Sequence, residues 1–351
     1  MKELCEFRVQ EHLAHLVFDD HEGCKREGGV RVVELTTDDP RFRKVGRVSE
    51  ELKRTVGQHL FHGWQIRRRY TERERRAAQL FRLIIKAVFG PAGEECGTQY
   101  DYGRACRHCG MPRVIIGSLR LDLRRAPRAR HIAATIADDE WLVSQPLAEL
   151  MVDAGLTGFA LRPVRHKTHC LDDPIDLSVL ASGQELLQRA KNADITPYTT
   201  EFWCWINRPE QAELVAEVKQ EHAGTCSECR RTASQRLPVW FQLIITSRPV
   251  HVVEPTRFGI DPFDDDPLGQ YRCPRGHVKG LNLLSEVFIN RADWDGADIC
   301  RTVELTGWPW KPGQPHPVRA PAPTLLISPR FYHLLKEHGI KGWEADVAYL
   351  R

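Results

Sequence analysis

The pattern of apolar and polar positions in residues 142–159, LVSQPLAELMVDAGLTGF, recurs in residues 326–343, LISPRFYHLLKEHGIKGW. Leu142/Leu326, Ser144/Ser328, Leu150/Leu334, Gly155/Gly339 and Gly158/Gly342 are identical, and most other pairs keep their chemistry. In each copy an apolar pair leads into a serine, a residue type whose side chain caps helix N-termini. Pro329 suits the first helical position of the second copy, where its missing N–H costs nothing. Apolar residues at 147, 150 and 151, and at 331, 334 and 335, give one buried helical stripe. Gly155 and Gly339 fit the left-handed position that ends a helix, with Leu156 or Ile340 folding back onto Met151 or Leu335. Each copy therefore predicts strand, short helix, strand, and the stretch is a packing unit with no chemical side chain.

Elsewhere the pattern predicts a helix over 71–89, with Thr71 and Glu74 as a capping box and an apolar face of Ala77, Leu80, Phe81, Ile84, Ile85 and Val88. Strands are expected at Val30 to Leu35 and at VWFQLIIT. Helices are expected from Ile175 to Ala190 and from Pro209 to His222. The aromatic run TPYTTEFWCWIN between them reads as a strand, with Trp203 and Trp205 in a core. The proline-rich WPWKPGQPHPVRAPAP (308–323) reads as an extended surface loop. The expected fold class is α+β: two tandem related modules, each a zinc knuckle or ribbon with a strand–helix–strand unit. The expected division is an N-terminal α/β region (1–90), a first zinc-knuckle module (91–170), a helical connector (171–222) and a second zinc-ribbon module (223–351).

Composition narrows the function classes. The 351 residues are 42% hydrophobic, enough for real cores, and 50 basic against 47 acidic residues nearly cancel. That balance argues against a dedicated nucleic-acid binder, which carries a large basic excess. No stretch approaches the roughly twenty apolar residues of a membrane span, and MKELCEFRVQEHLAHLVFDD has no signal-peptide h-region. The expected location is the cytoplasm, where the 11 cysteines read as thiols and metal ligands rather than disulfides.

Cys226-Ser-Glu-Cys229 and Cys273-Pro-Arg-Gly-His277 are two close pairs far apart in sequence, the pattern of a four-coordinate structural Zn2+ site. His222 competes as a fourth ligand. A second possible site gathers Cys96, Cys106 and Cys109, where the CxxCG turn at 106–110 suits a zinc knuckle. Its fourth ligand is open among Cys170, His166, His169 and His131. Four protein ligands leave no seat for a catalytic water. Phosphate-binding glycine loops, HExxH and GxSxG are all absent from the sequence. The run Asp261, Asp264, Asp265, Asp266 between Pro262 and Pro267 reads as a turn-rich loop.

These knuckles, each followed by an apolar strand and a Ser-capped helix ending in G-[LI]-x-G-[FW], resemble the bacterial double-CXXCG motif proteins. The likeness covers about 91–170 and 223–351. It departs at Arg230, which follows the second CxxC, and at the Cys273/His277 pair. Some members of that family are immunity proteins, so the resemblance implies a non-enzymatic, cytosolic protein that binds and neutralises a toxin. Trp308, Trp310 and Lys311 are candidate partner anchors, because exposed aromatics concentrate binding energy. The alternative is a nucleic-acid-binding zinc-ribbon protein using Arg67, Arg68, Arg69, Arg73, Arg75 and Arg76 with Arg120, Arg124, Arg125, Arg128 and Arg130. A zinc-dependent hydrolase is third.

Overall fold

A computed structural model describes residues 1–90, 93–101, 103, 114–127, 129–135, 140–167, 177–197, 202, 205, 209–225, 237–264, 281–306 and 322–351. The fold is α+β. An antiparallel N-terminal sheet, in the order β2-β3-β1-β4, is built from β1 (Lys2–Gln10), β2 (Cys24–Arg26), β3 (Val30–Thr36) and β4 (Phe61–Arg69). Alternate residues Cys5, Phe7 and Val9 of β1 face a core that takes Val45 from helix α1 (Pro40–Val56). Helix α1 starts where Asp39 accepts from the Arg41 N–H at 2.8 Å and stops at Gly57, whose φ is 66°.

The expected helix over 71–89 is corrected. Thr71 and Glu74 do form the capping box, but helix α2 covers only Glu72–Ala77. Strands β5 (Leu80–Ile85) and β6 (Val88–Phe89) follow. The apolar face assigned to a helix is a strand with apolar residues packed on both faces: Phe81 and Leu83 point into one core and Leu80 into another, while Arg82 and Ile84 are half-buried. A strand packed on both faces loses the period of two that would distinguish it.

Strands β7 (Gln99–Asp101) and β8 (Val114–Ile116) pair with one another, as do β9 (Arg120–Leu121) and β13 (Arg165–His166), and β15 (Phe258–Gly259) and β16 (Asn282–Leu283). Both similar stretches fold as expected. The first gives β11 (Trp141–Ser144), α3 (Gln145–Asp153) and β12 (Phe159–Pro163), preceded by β10 (Ile132–Thr135). The second gives β19 (Ala322–Ile327), α6 (Pro329–Glu337) and β20 (Trp343–Leu350), preceded by β17 (Val287–Ile289) and β18 (Ile299–Thr306). Gly155 and Gly339 have φ of 60° and 59°. Leu156 N–H returns to Met151 O at 3.1 Å, and Ile340 N–H to Leu335 O at 2.9 Å. One detail is corrected. Ser328 caps α6 by accepting from Phe331 N–H, but Ser144 makes no cap bond, and its hydroxyl is turned onto His131 Nδ1 at 2.8 Å.

The central strand of each unit belongs to the other half of the chain. One five-stranded sheet runs β12-β14-β11-β10-β6, where β14 is Trp240–Ile245; the other runs β17-β20-β5-β19-β18. So β5, far N-terminal, sits between β19 and β20, and β14, far C-terminal, sits between β11 and β12. The two inserted strands read LFRLII and WFQLII. Their registers are equivalent: Phe81 pairs with Ile327 and Val347, and Phe241 pairs with Val143 and Pro163. Gly342 O closes one unit by accepting from Lys86 and Ala87 N–H, and Gly158 O closes the other by accepting from Thr246 and Ser247 N–H. The expected boundary at residue 90 therefore separates β5 from the sheet it completes. The inner faces of both sheets, with α3 and α6, share one core that includes Phe81, Val143, Met151, Leu243, Ile327 and Phe331. On the outer faces lie two separate cores, one holding Leu142 and Trp240 and the other holding Leu80 and Leu326.

Between the halves, α4 (Ala181–Asn192) and α5 (Ala212–Thr225) form a small helical unit. Helix α4 begins six residues later than expected. Glu221 of α5 caps it by accepting from Ala181 N–H at 2.8 Å and Ser182 N–H at 3.0 Å. The expected strand between these helices is corrected where it is described: Phe202 and Trp205 are helical, and both are buried. Trp203 lies outside the described residues.

A short loop latches the N-terminal sheet to the rest. Phe263 stacks on Phe7 with centroids 5.9 Å apart, meets Phe42 at 4.9 Å, and lies against Gly46, where an added Cβ would come within 2.9 Å of its ring. Asp264 accepts from Ile260 and Asp261 N–H, so the described part of the acidic run is a turn as expected. Burial pushes the Asp261 carboxyl up to about 6, opposed by the Phe263 N–H it accepts and aided by the Asp264 carboxylate. Its unfolded value is about 3.9, so this site is most favourable below about pH 4 and loses stability as pH rises through about 6. Asp261 is partly exposed, so the loss is about 1–2 kcal/mol. Urea midpoints of Asp261→Asn should exceed wild type at neutral pH and converge with it near pH 4. An unchanged difference across that range would remove the assignment.

Candidate functional site

A cavity of about 1110 Å³ opens where β4 and α2 face β5, β20 and α6. Its floor is a buried ion network. The Arg68 guanidinium, with its side chain 1% exposed, donates to Glu3 at 2.8 Å and to Leu284 O at 2.9 Å, and reaches Asp346 at 3.4 Å. Arg82 meets the same Asp346 oxygen at 3.6 Å. Burial lowers the Arg82 pKa, which Asp346 partly offsets. Burial, with the Asp346 and Glu286 carboxylates, pushes the Tyr70 hydroxyl far above its usual range.

The walls combine aromatic rings and cations. Trp64, Tyr70, Tyr332 and Trp343 line the cleft. Tyr332 stacks on Phe81 at 4.0 Å and accepts from Arg75 Nη1 at 3.0 Å; Arg75 also lies over the Tyr70 ring at 5.8 Å. Lys336 sits 5.5 Å over the Tyr332 ring. Seven cations line the cleft (Arg67, Arg68, Arg69, Arg75, Arg82, Lys86 and Lys336) against Glu72, Glu344 and Asp346. Arg67 is held by Glu6 at 2.7 Å and Glu34 at 3.3 Å, and Lys86 by Glu344 at 3.0 Å. Arg69, Arg73, Arg75, Arg76 and Lys336 have no carboxylate within 4.0 Å among the described residues. Glu72 and Glu74 are the acidic neighbours of these arginines on α2, yet neither lies within 4.0 Å of them among the described residues. Instead Glu74 is taken by Thr71 and the amino group of Met1. Sequence reasoning found the arginines and missed the cleft. The run of aromatic and basic residues between Trp64 and Tyr70 was the available signal.

Of the expected metal ligands, Cys106, Cys109, Cys226, Cys229, Cys273 and His277 lie outside the described residues, as do Cys170, His169, Trp308, Trp310 and Lys311. Cys96 is described: it ends a tight turn, Gly93–Cys96, and is fully buried. Two of its suggested partners are described, each with Nδ1 in a hydrogen bond. His131 Nδ1 is on Ser144, and His166 Nδ1 accepts from Leu123 N–H at 3.1 Å. Among the described residues no group of three or more His, Cys, Asp or Glu is gathered to hold a metal. The flanks of the cysteine pairs are placed. Asp101 and Val114, on either side of the Cys106–Cys109 segment, are paired residues of β7 and β8. Ile115, after that segment, and Leu237, after Cys229, pack against the same outer core. Phe258, Leu281 and Leu283, flanking Cys273 and His277, pack in the core on the other outer face.

Among the described residues no helix is long and apolar enough to cross a membrane. Comparisons with protein-family models, with curated proteins and with solved structures found no match to this chain.

Proposed function

We propose that this chain is a non-enzymatic binding protein for another protein, of the immunity type that the double-CXXCG resemblance implies. The observation that carries the reading is the character of the cleft. Trp64, Tyr70, Trp343, Arg69 and Arg75 share one wall system, and Trp, Tyr and Arg are the residues that dominate binding energy in protein interfaces. Fixed backbone surrounds them on both sides, which limits the ordering cost of binding. The test is growth: a neighbouring-gene toxin expressed alone should arrest a host, and co-expression of this chain should restore it. Persistent arrest with every such toxin would remove the immunity reading.

The second reading is nucleic-acid binding. It is favoured by Arg69, Arg73, Arg75 and Arg76, which have no carboxylate within 4.0 Å among the described residues. Phosphate contacts predict affinity that falls steeply with salt, so filter binding over a salt series decides it.

The proposed cofactor is structural Zn2+. Such sites contribute roughly 10–16 kcal/mol of apparent folding free energy. Spacing joins Cys226 and Cys229 to Cys273 and His277, with Cys96, Cys106 and Cys109 as a second possible site; of these only Cys96 lies within the described residues. Cys226→Ser and Cys273→Ser should each remove the same zinc ion, and Cys106→Ser should leave it bound. Metal quantitation with cobalt absorption, which counts thiolate ligands, checks this.

A further inference from the structure

We propose that the cleft receives an extended acidic segment of the protein partner, added as a strand along the free edge of β4. This rests on the protein-binding reading. Strand β4 pairs with β1 alone among the described residues, so its other edge carries open backbone donors and acceptors. Seven consecutive residues, Trp64 to Tyr70, line the cleft. Alternate residues would line it if a sheet face opened there; an unbroken run means that the edge does. An exposed strand edge is a template for main-chain pairing, and specificity then comes from the side-chain environment on either side.

That environment selects charge. Arg69 and Lys336 are exposed and Arg75 half-buried, and none is neutralised by a carboxylate among the described residues. Carboxylates spaced two residues apart on an incoming strand would project towards one wall, where guanidinium groups bind them through two hydrogen bonds. Trp64, Ile84, Ile340 and Trp343 offer apolar surface to the residues between. A polyphosphate fits less well, because Glu72 and Glu344 stand in the same walls and would repel a uniformly charged backbone.

The experiment uses the full-length protein and a fluorescent peptide of alternating Glu and Val, about eight residues long, the span of an ordinary strand. Anisotropy should show binding that weakens with salt. The same peptide N-methylated at alternate residues should bind about tenfold more weakly, since it cannot complete the ladder on one edge. Arg69→Glu/Arg75→Glu/Lys336→Glu should lose about tenfold or more with an unchanged melting curve. Equal binding of the methylated peptide overturns strand addition, and no binding at low salt overturns the site. Tighter binding of oligothymidine, abolished by the triple variant, makes the cleft a phosphate site instead. Growth protection that survives the triple variant leaves the protein-binding reading standing and this proposal without support.

Discussion

A disulfide engineered between Ile84→Cys and Glu344→Cys should form in high yield, whereas one between Ile84→Cys and Ala160→Cys should not form at all. The first pair are directly opposed residues of β5 and β20. Directly opposed strand residues have Cα atoms about 4.5–5.5 Å apart, within the range a disulfide spans. The second pair tests the alternative, in which each unit keeps its own central strand. Ala160 faces Ile244 in the exchanged arrangement, and in an unexchanged one the equivalent residue Ile84 would occupy that place. The readout is all-or-none. After cleavage at a protease site introduced beside the exposed Asp194, the 84–344 disulfide should hold the two fragments together on a denaturing, non-reducing gel. The 84–160 pair lies wholly within the first fragment, so thiol labelling reads it, and a disulfide there would sink the exchange.

The exchange also sets where the energy lies. Phe81 belongs to the N-terminal half yet packs against Ile327, Phe331 and Tyr332 of the C-terminal half. Phe81→Ala should cost about 3–5 kcal/mol, and the loss should destabilise both halves in one cooperative transition, because each sheet takes one internal strand from the other half.

Gly158→Ala should destabilise far more than Gly342→Ala, although the two glycines hold equivalent places. Both have positive φ, 90° and 100°, which costs an alanine roughly 1–3 kcal/mol. At Gly158 an added Cβ would lie 2.2 Å from Ile299 O and 2.8 Å from Ala297 Cβ. That carbonyl is fixed by β18, and Thr157 beside the glycine is tied to Asp298 at 3.0 Å, so neither side can withdraw. At Gly342 the nearest atoms, Arg130 Cδ and Ile132 O, are 3.2 Å away, and a small shift absorbs the methyl group. Urea denaturation should show a loss of about 2 kcal/mol for Gly342→Ala and about 4 kcal/mol or more for Gly158→Ala. Equal losses would mean that the close approach at Ile299 relaxes freely.

Local rules were legible wherever the chain speaks to its own neighbours. The capping box at Thr71 and Glu74, the proline at the start of α6 and the glycines at 155 and 339 each act within about five residues. Serine at 144 shows the limit. It has the chemistry of a cap, but His131, thirteen residues upstream, holds its hydroxyl. The cleft was hidden for the same reason. Its arginines are visible in a line, but which of them are neutralised depends on Glu3, Glu6, Glu34 and Asp346, on strands distant in sequence.

The sequence by itself determined the two strand–helix–strand units, because capping, helical spacing and left-handed glycines are properties of short segments. It also supplied the cysteine pairs on which the zinc proposal rests. Only the tertiary structure decided that residues 80–85 are a strand, and in which sheet. LFRLII satisfies helical spacing and a buried strand equally well, and WFQLII fits the same slot. Position along the chain, pairing on both edges and packing on both faces choose between them, and none of these is written in the segment itself.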